Sequence, residues 1–184
     1  MTRRPRAGSL ATLAVALLAA CGDDATRPAA VRALPDSADQ LFVLFRHQLT
    51  RDGVRRSQVE ADTALFYEGT QRAVLRNTTV HFFDDAGRET SVLTARSGTY
   101  WWTSSRVEAE GDVLVRGSGG ATLRSEFLRY DDSTRQISTD RPFTYNSAGE
   151  RVSGTGFRSD PELKYVVTGR PRGVSKKGFL LPGQ

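Results

Sequence analysis

Cysteine occurs once in this 184-residue chain, at Cys21, so no intramolecular disulfide can form. Histidine occurs twice, at His47 and His81, too few and too far apart to suggest a metal centre or a base paired with a nucleophile. His81 lies in Val80-His81-Phe82, where alternation points it away from an interior, and both histidines read as surface side chains. The paired acids Asp84-Asp85 and Asp131-Asp132 sit beside turn residues at strand ends, and turn formation accounts for them better than acid–base chemistry. Gly117-Ser118-Gly119-Gly120 lacks the lysine and the spacing of a phosphate-binding loop. No catalytic residue, metal ligand or cofactor site is expected, and an energy source must come from a partner.

Positive charge is scarce on the part of the chain that can fold. The formal net charge is +5, but Arg3, Arg4 and Arg6 carry three of the positive charges, and Arg170, Arg172, Lys176 and Lys177 four more. Without those seven, residues 22–169 stand at −2. A nucleic-acid-binding domain carries its positive charge on the folded body, so nucleic acid is not expected as a partner.

Long apolar runs are missing too. Leu10–Ala20 is an eleven-residue apolar stretch, against the roughly 20 residues that cross a bilayer. Behind three arginines it has the layout of a secretion signal over residues 1–20. Leu18-Ala19-Ala20-Cys21 looks like a bacterial lipobox, which makes Cys21 the expected lipidation site and the mature N-terminus. Residues 21–40 carry Pro28, Pro35 and scattered charges without hydrophobic period, and read as a tether spanning roughly 25 Å as a flexible coil.

What the chain does have is a repeat. Ala95–Trp101, a turn at Thr103-Ser104-Ser105 and Arg106–Val115 are echoed by Ser125–Tyr130, a turn at Asp131-Asp132-Ser133 and Arg135–Tyr145. A looser copy runs from Ala61 to Tyr67, turns at Glu68-Gly69-Thr70, and continues through Phe82. Aligned on Tyr67, Tyr100 and Tyr130, the copies are 33 and 30 residues apart. Self-similarity at such a period signals stacked supersecondary units with one shared core, here pairs of antiparallel strands.

Turn signals punctuate the body at Asp52-Gly53, Glu68-Gly69, Asp84–Gly87, Gly117–Gly120 and Ser147–Glu150. Leu41–Leu49 alternates as a strand does, although a short helix also fits it. Val80/Phe82, Val113/Val115 and Phe143/Tyr145 hold equivalent places and are expected to stack as one interior row, with Leu114 facing the surface. Before each turn, Leu65/Tyr67, Gly98/Tyr100 and Leu128/Tyr130 are the favoured inward sets, with Phe66, Trp101 and Phe127 competing. Pro142 belongs at a strand start or edge, which suits a rolled or folded-over sheet.

Together these residues resemble the LptC family of periplasmic lipopolysaccharide-export proteins, within the wider OstA-like superfamily that includes LptA. The stretches that carry the resemblance are Leu49–Val54, Ala95-x-x-Gly98-x-Tyr100, Gly111-Asp112-Val113-x-Val115, Leu128-x-Tyr130-Asp131 and Ser153–Pro161. It spans about Leu41 to Val167. It implies an all-β, open, twisted antiparallel β-jellyroll over 41–168, followed by a basic, disordered tail at 169–184. The familiar form of the family is held by a transmembrane helix, whereas this chain suggests a lipid anchor.

The resemblance further implies a periplasmic, lipid-anchored accessory protein at the inner membrane. It would accept lipopolysaccharide from the periplasmic domains of an inner-membrane ABC transporter and pass it to a bridge protein of the LptA type. The lipid A acyl chains would contact Val80, Phe82, Val113, Val115, Phe143 and Tyr145, with Tyr100 and Tyr130 behind them. A strand over Leu163–Val167, including Tyr165, Val166 and Val167, would pair with the bridge, and strands near Leu41–Leu49 would meet the transporter. The alternatives are a bridge or outer-membrane member of the same family, or a carbohydrate-binding or scaffolding β-sandwich lipoprotein with Tyr100-Trp101-Trp102 as an aromatic platform. For the eight interior residues, a closed core without ligand is the competing reading.

Overall fold

The structure, a computed structural model, describes residues 38–169 and 171–174. The expected signal segment at 1–20, Cys21, nearly all of the tether and the end of the basic tail lie outside the described residues. Among the described residues there is no α-helix, and none is long and apolar enough to cross a membrane.

Eight long strands follow one another as a meander: β1 (Gln40–Arg51), β2 (Val54–Tyr67), β3 (Arg72–Phe83), β4 (Glu89–Trp101), β5 (Arg106–Gly117), β6 (Thr122–Asp131), β7 (Gln136–Ser147) and β8 (Glu150–Ser159). Two short strands, β9 (Val166–Val167) and β10 (Pro171–Val174), both pair with β8 along its far side. Every pairing is antiparallel, and the order β1 through β8 then β10 makes one open sheet. Leu41–Leu49 is thus strand rather than helix. The body also continues beyond residue 168, because Pro171–Val174 pairs with Arg151–Gly154.

The hairpins form where the turn residues demand them. Asp52 and Gly53 both take positive φ, 52° and 77°, the mirror-image turn whose twist matches the flanking strands. Glu68–Thr70 forms a single 3₁₀ turn between β2 and β3. Asp84 Oδ1 accepts the backbone N–H groups of Ala86 and Arg88, each at 2.9 Å, and Asp131 Oδ1 accepts that of Ser133 at 2.9 Å. These bonds to backbone and neighbouring side chains hold both carboxyls below the usual aspartate range, led by the Arg88 N–H for Asp84 and the Ser133 hydroxyl for Asp131.

A line of irregularities crosses the sheet near the middle of every strand. The pairing skips Leu44, Asp62, Asn77 and Arg96 and shifts by one residue at Gly111-Asp112, at Glu126–Leu128 and at Asp140-Arg141. Positive φ marks the same line at Leu44 (56°), Asn77 (51°), Gly111 (76°), Asp112 (50°) and Gly156 (80°). Bulges bend strands and sharpen their twist. Here they fall on one transverse line, so the whole sheet creases and its two halves face each other.

The outer side of the crease is polar. Asn77 donates to Asp62 Oδ2 at 2.7 Å, and Arg96 reaches Asp112 at 3.1 Å. Inside lies one apolar core drawn from both halves. Contacts between distant strands follow from the fold-over: the rings of Phe82 on β3 and Tyr130 on β6 meet edge to face with centroids 4.7 Å apart.

Candidate functional site

The interior is built from rows that run strand to strand across each half. In the half containing the β1–β2 turn, one row reads His47, Val59, Val80, Leu93, Val115, Leu123, Tyr145, Val152, each paired with the next. In the other half a row reads Phe66, Ala73, Tyr100, Val107, Tyr130, Ile137, Ser159. Apart from His47 and Phe66 on β1 and β2, every member of both rows is at most 6% exposed.

All eight side chains proposed from sequence to line the interior do so. Val80, Phe82, Tyr100, Val113, Val115, Tyr130, Phe143 and Tyr145 lie between 0 and 6% exposed in a single cluster. They do not form one row. Val80, Val115 and Tyr145 share a row, Val113 and Phe143 sit in the row nearer the crease, and Phe82 sits in the row nearer the turns. Leu93 and Leu123 complete the central row between them.

Four expectations are corrected. On β2, Phe66 and not Tyr67 is the counterpart of Tyr100 and Tyr130, because the crease at Asp62 reverses which side chains point inward. Leu114 is buried at 6% on the outer face rather than exposed. His47 is not a plain surface side chain: it alternates with Phe45 and Leu49 on the inner face of β1, where its Nε2 lies 3.1 Å from the Tyr100 hydroxyl. Partial burial holds the His47 pKa below the ordinary histidine value. Leu163–Tyr165 is not strand; only Val166 and Val167 pair, with Ser159 and Arg158, while Tyr165 is 75% exposed.

The aromatic platform of the carbohydrate-binding alternative does not assemble on one face. Tyr100 points inward, Trp101 lies outside beneath the Arg106 guanidinium at 4.8 Å, and Trp102 stacks on Phe66 with centroids 5.5 Å apart.

Asp132 proves to be more than a turn residue. Only 7% exposed, it accepts the Tyr130 hydroxyl at 2.8 Å and faces the Arg51 guanidinium at 3.3 Å. Burial first, then the Asp132 charge, pushes the Tyr130 hydroxyl pKa far above the ordinary tyrosine value, and the same two causes raise Tyr100 more mildly. Neither phenol is poised to act as an acid or base near neutrality.

The two rims of the sheet differ. Among the described residues β1 pairs only with β2, and its Phe42, Val43 and Leu44 are 44, 67 and 82% exposed. The backbone N–H and C=O groups along such an edge are a template for adding another strand, and its exposed apolar side chains give an added strand surface to bury. The opposite rim is formed by β9 and β10.

The arrangement offers a broad apolar interior between two layers, ending at free strand edges. No curated protein matches the chain. The family model described as "Lipopolysaccharide-assembly, LptC-related" matches residues 10–166, which is most of its length. A creased jellyroll-like sheet with an apolar lining agrees with that match, and the protein belongs to the LptC family of envelope lipopolysaccharide-transport components.

Proposed function

We propose that this protein is the periplasmic accessory component that shelters lipopolysaccharide acyl chains on their way out of the inner membrane. The carrying observation is the central row from Val59 to Val152, which runs unbroken through seven strands with no charged member. An acyl chain crossing water needs cover worth about 0.8 kcal/mol for each buried CH₂. The branched and aromatic side chains of the row supply it without covalent chemistry, so the protein acts as a conduit and not as an enzyme.

In this reading Val80, Phe82, Val113, Val115, Phe143 and Tyr145 contact the acyl chains, with Tyr100 and Tyr130 behind them. The exposed β1 edge receives the periplasmic domains of the ABC transporter, which supplies the energy. The rim at β8, with Val166 and Val167, faces a bridge protein of the LptA type, and no nucleic acid is involved. Lipidation at Cys21 holds the protein at the inner membrane.

Photo-crosslinkers test this at Val113, buried on the inner face, and at Arg116, exposed on the outer face of the same strand. With transporter and ATP, lipopolysaccharide adducts are expected at position 113 and not at 116. Adducts at neither position, or equally at both, would overturn the proposal.

A further inference from the structure

Opposite the crease, the free ends of the two halves are fastened to each other at three places. Arg51, at the end of β1, reaches the Asp132 carbonyl at 3.2 Å and its carboxylate at 3.3 Å across the opening. Arg135, in the β6–β7 turn, reaches Asp85 at 3.2 Å and the Phe83 carbonyl at 3.4 Å; Asp85 also pairs with Arg56. At the third place the chain leaving β8 crosses over and lies on the far half. There Ser91 Oγ donates to the Pro161 carbonyl at 2.6 Å and the Tyr145 hydroxyl to the Leu163 carbonyl at 3.4 Å.

The third fastening is a separate turn. Asp160 Oδ1 accepts the backbone N–H groups of Lys164 and Tyr165, at 2.9 and 2.8 Å, and its carbonyl accepts that of Leu163 at 3.1 Å. These bonds stay within the turn, so it can move as a unit without losing them. Its Leu163 side chain is 3% exposed and joins the interior cluster. Leu163 also sits at φ 61°, the left-handed region that a bulky side chain disfavours. Directly beside it opens a cleft of about 710 Å³, with Ala121 and Tyr145 next to Leu163 and charged side chains, among them Asp84, Arg88, Glu89 and Lys164, around its mouth.

We infer that this seam is the portal through which a lipid's acyl chain enters the interior, with the Asp160–Tyr165 turn as a displaceable stopper and Leu163 holding the place of the incoming chain. The inference rests on the lipid-sheltering reading and adds the route. The side chain that leaves is apolar and the one that arrives is apolar; what the exchange gives up is the pair of hydroxyl bonds from Ser91 and Tyr145 to the turn, which water entering the opened seam can replace. Exposed ion pairs such as Arg135–Asp85 hold the seam weakly and yield to salt.

Stopped-flow fluorescence with cis-parinaric acid, an acyl chain that brightens in apolar surroundings, tests the route on the full chain. Leu163→Ala removes the stopper side chain, and Ser91→Ala releases the turn without touching its apolar contact. Each is expected to raise the association rate at least five-fold, while Tyr165→Ala, at an exposed position in the same turn, leaves it unchanged. Two substitutions guard against loss of folding in either, and a thermal melt of each identifies an unfolded variant. Probe uptake at the wild-type rate in both folded variants, or equal acceleration by Tyr165→Ala, overturns the portal and leaves the shelter standing. No probe binding by the wild type or any variant overturns the shelter itself, and the portal with it.

Discussion

Replacing Tyr130 with phenylalanine isolates one oxygen atom at the junction of the two halves. The ring of Tyr130 is 2% exposed and its contact with Phe82, at a centroid separation of 4.7 Å, survives the substitution. What disappears is the hydroxyl donated to Asp132 Oδ1 at 2.8 Å. A hydrogen bond to a charged acceptor contributes about 1.5–3 kcal/mol, and Asp132 keeps only its longer contact with Arg51. The expected loss is about 2 kcal/mol. With a urea m-value of about 2 kcal/mol/M, the unfolding midpoint falls by about 1 M, read from the fluorescence of Trp101 and Trp102.

The alkaline limb gives a second reading of the same atom. Folded Tyr130 holds its proton to higher pH than the unfolded chain, whose tyrosines titrate near 10. Stability from this group is therefore full below about pH 10 and is lost as pH rises from there towards the folded pKa. The slope is about 1.4 kcal/mol per pH unit for one proton. Tyr130→Phe should lose that component and flatten the limb, leaving the weaker contribution of Tyr100. A midpoint shift under about 0.3 M with an unchanged alkaline limb would refute the reasoning, since the hydroxyl would then be contributing nothing that water does not.

Two further outcomes follow from the crease and from the inner face of β1. Gly111→Ala places a Cβ at φ 76° and 2.7 Å from Arg96 Nε, so the folded state should lose about 1–2 kcal/mol; Gly119→Ala, with nothing within 4 Å, should stay within about 0.5 kcal/mol in the same urea titration. His47 has a lowered pKa, so the unfolded chain takes up a proton first as pH falls below about 6.5, and stability declines from there until the folded form also titrates. His47→Gln should remove that step from a plot of melting temperature against pH between 7 and 5, and a step of the same size in the variant would assign it elsewhere.

Much of the architecture was legible because its signals are local. Asp52-Gly53 specifies its turn through two residues that tolerate positive φ, and Asp84 and Asp131 announce theirs through side chains that reach their own backbone. Within one half-strand the period of two is reliable, so Val80 with Phe82, Val113 with Val115 and Phe143 with Tyr145 were read correctly as inward. Across the crease that reading fails. A bulge, or an unpaired residue turned to positive φ without a change of register, exchanges the two faces of everything beyond it. Leu44, Asn77 and Asp112 give little warning of positive φ compared with a glycine, and so Tyr67 was favoured over Phe66; His47 was misread for another reason, because a polar residue was taken to face water although it alternates with Phe45 and Leu49.

By itself the sequence determined the long strands, their turns and which side chains alternate inward within a half-strand. These depend on alternation and turn chemistry, which act over a few neighbours. Only the tertiary structure decided how the two halves face each other and what closes the gap between them. Arg51 meets Asp132 across 81 residues and Ser91 meets Pro161 across 70, separations over which no local pattern extends. Leu163 lies in a stretch that reads as strand from its own residues; its place in the interior is set by the crossing of the chain after β8, and by the fold-over that puts Ser91 and Tyr145 there to receive it.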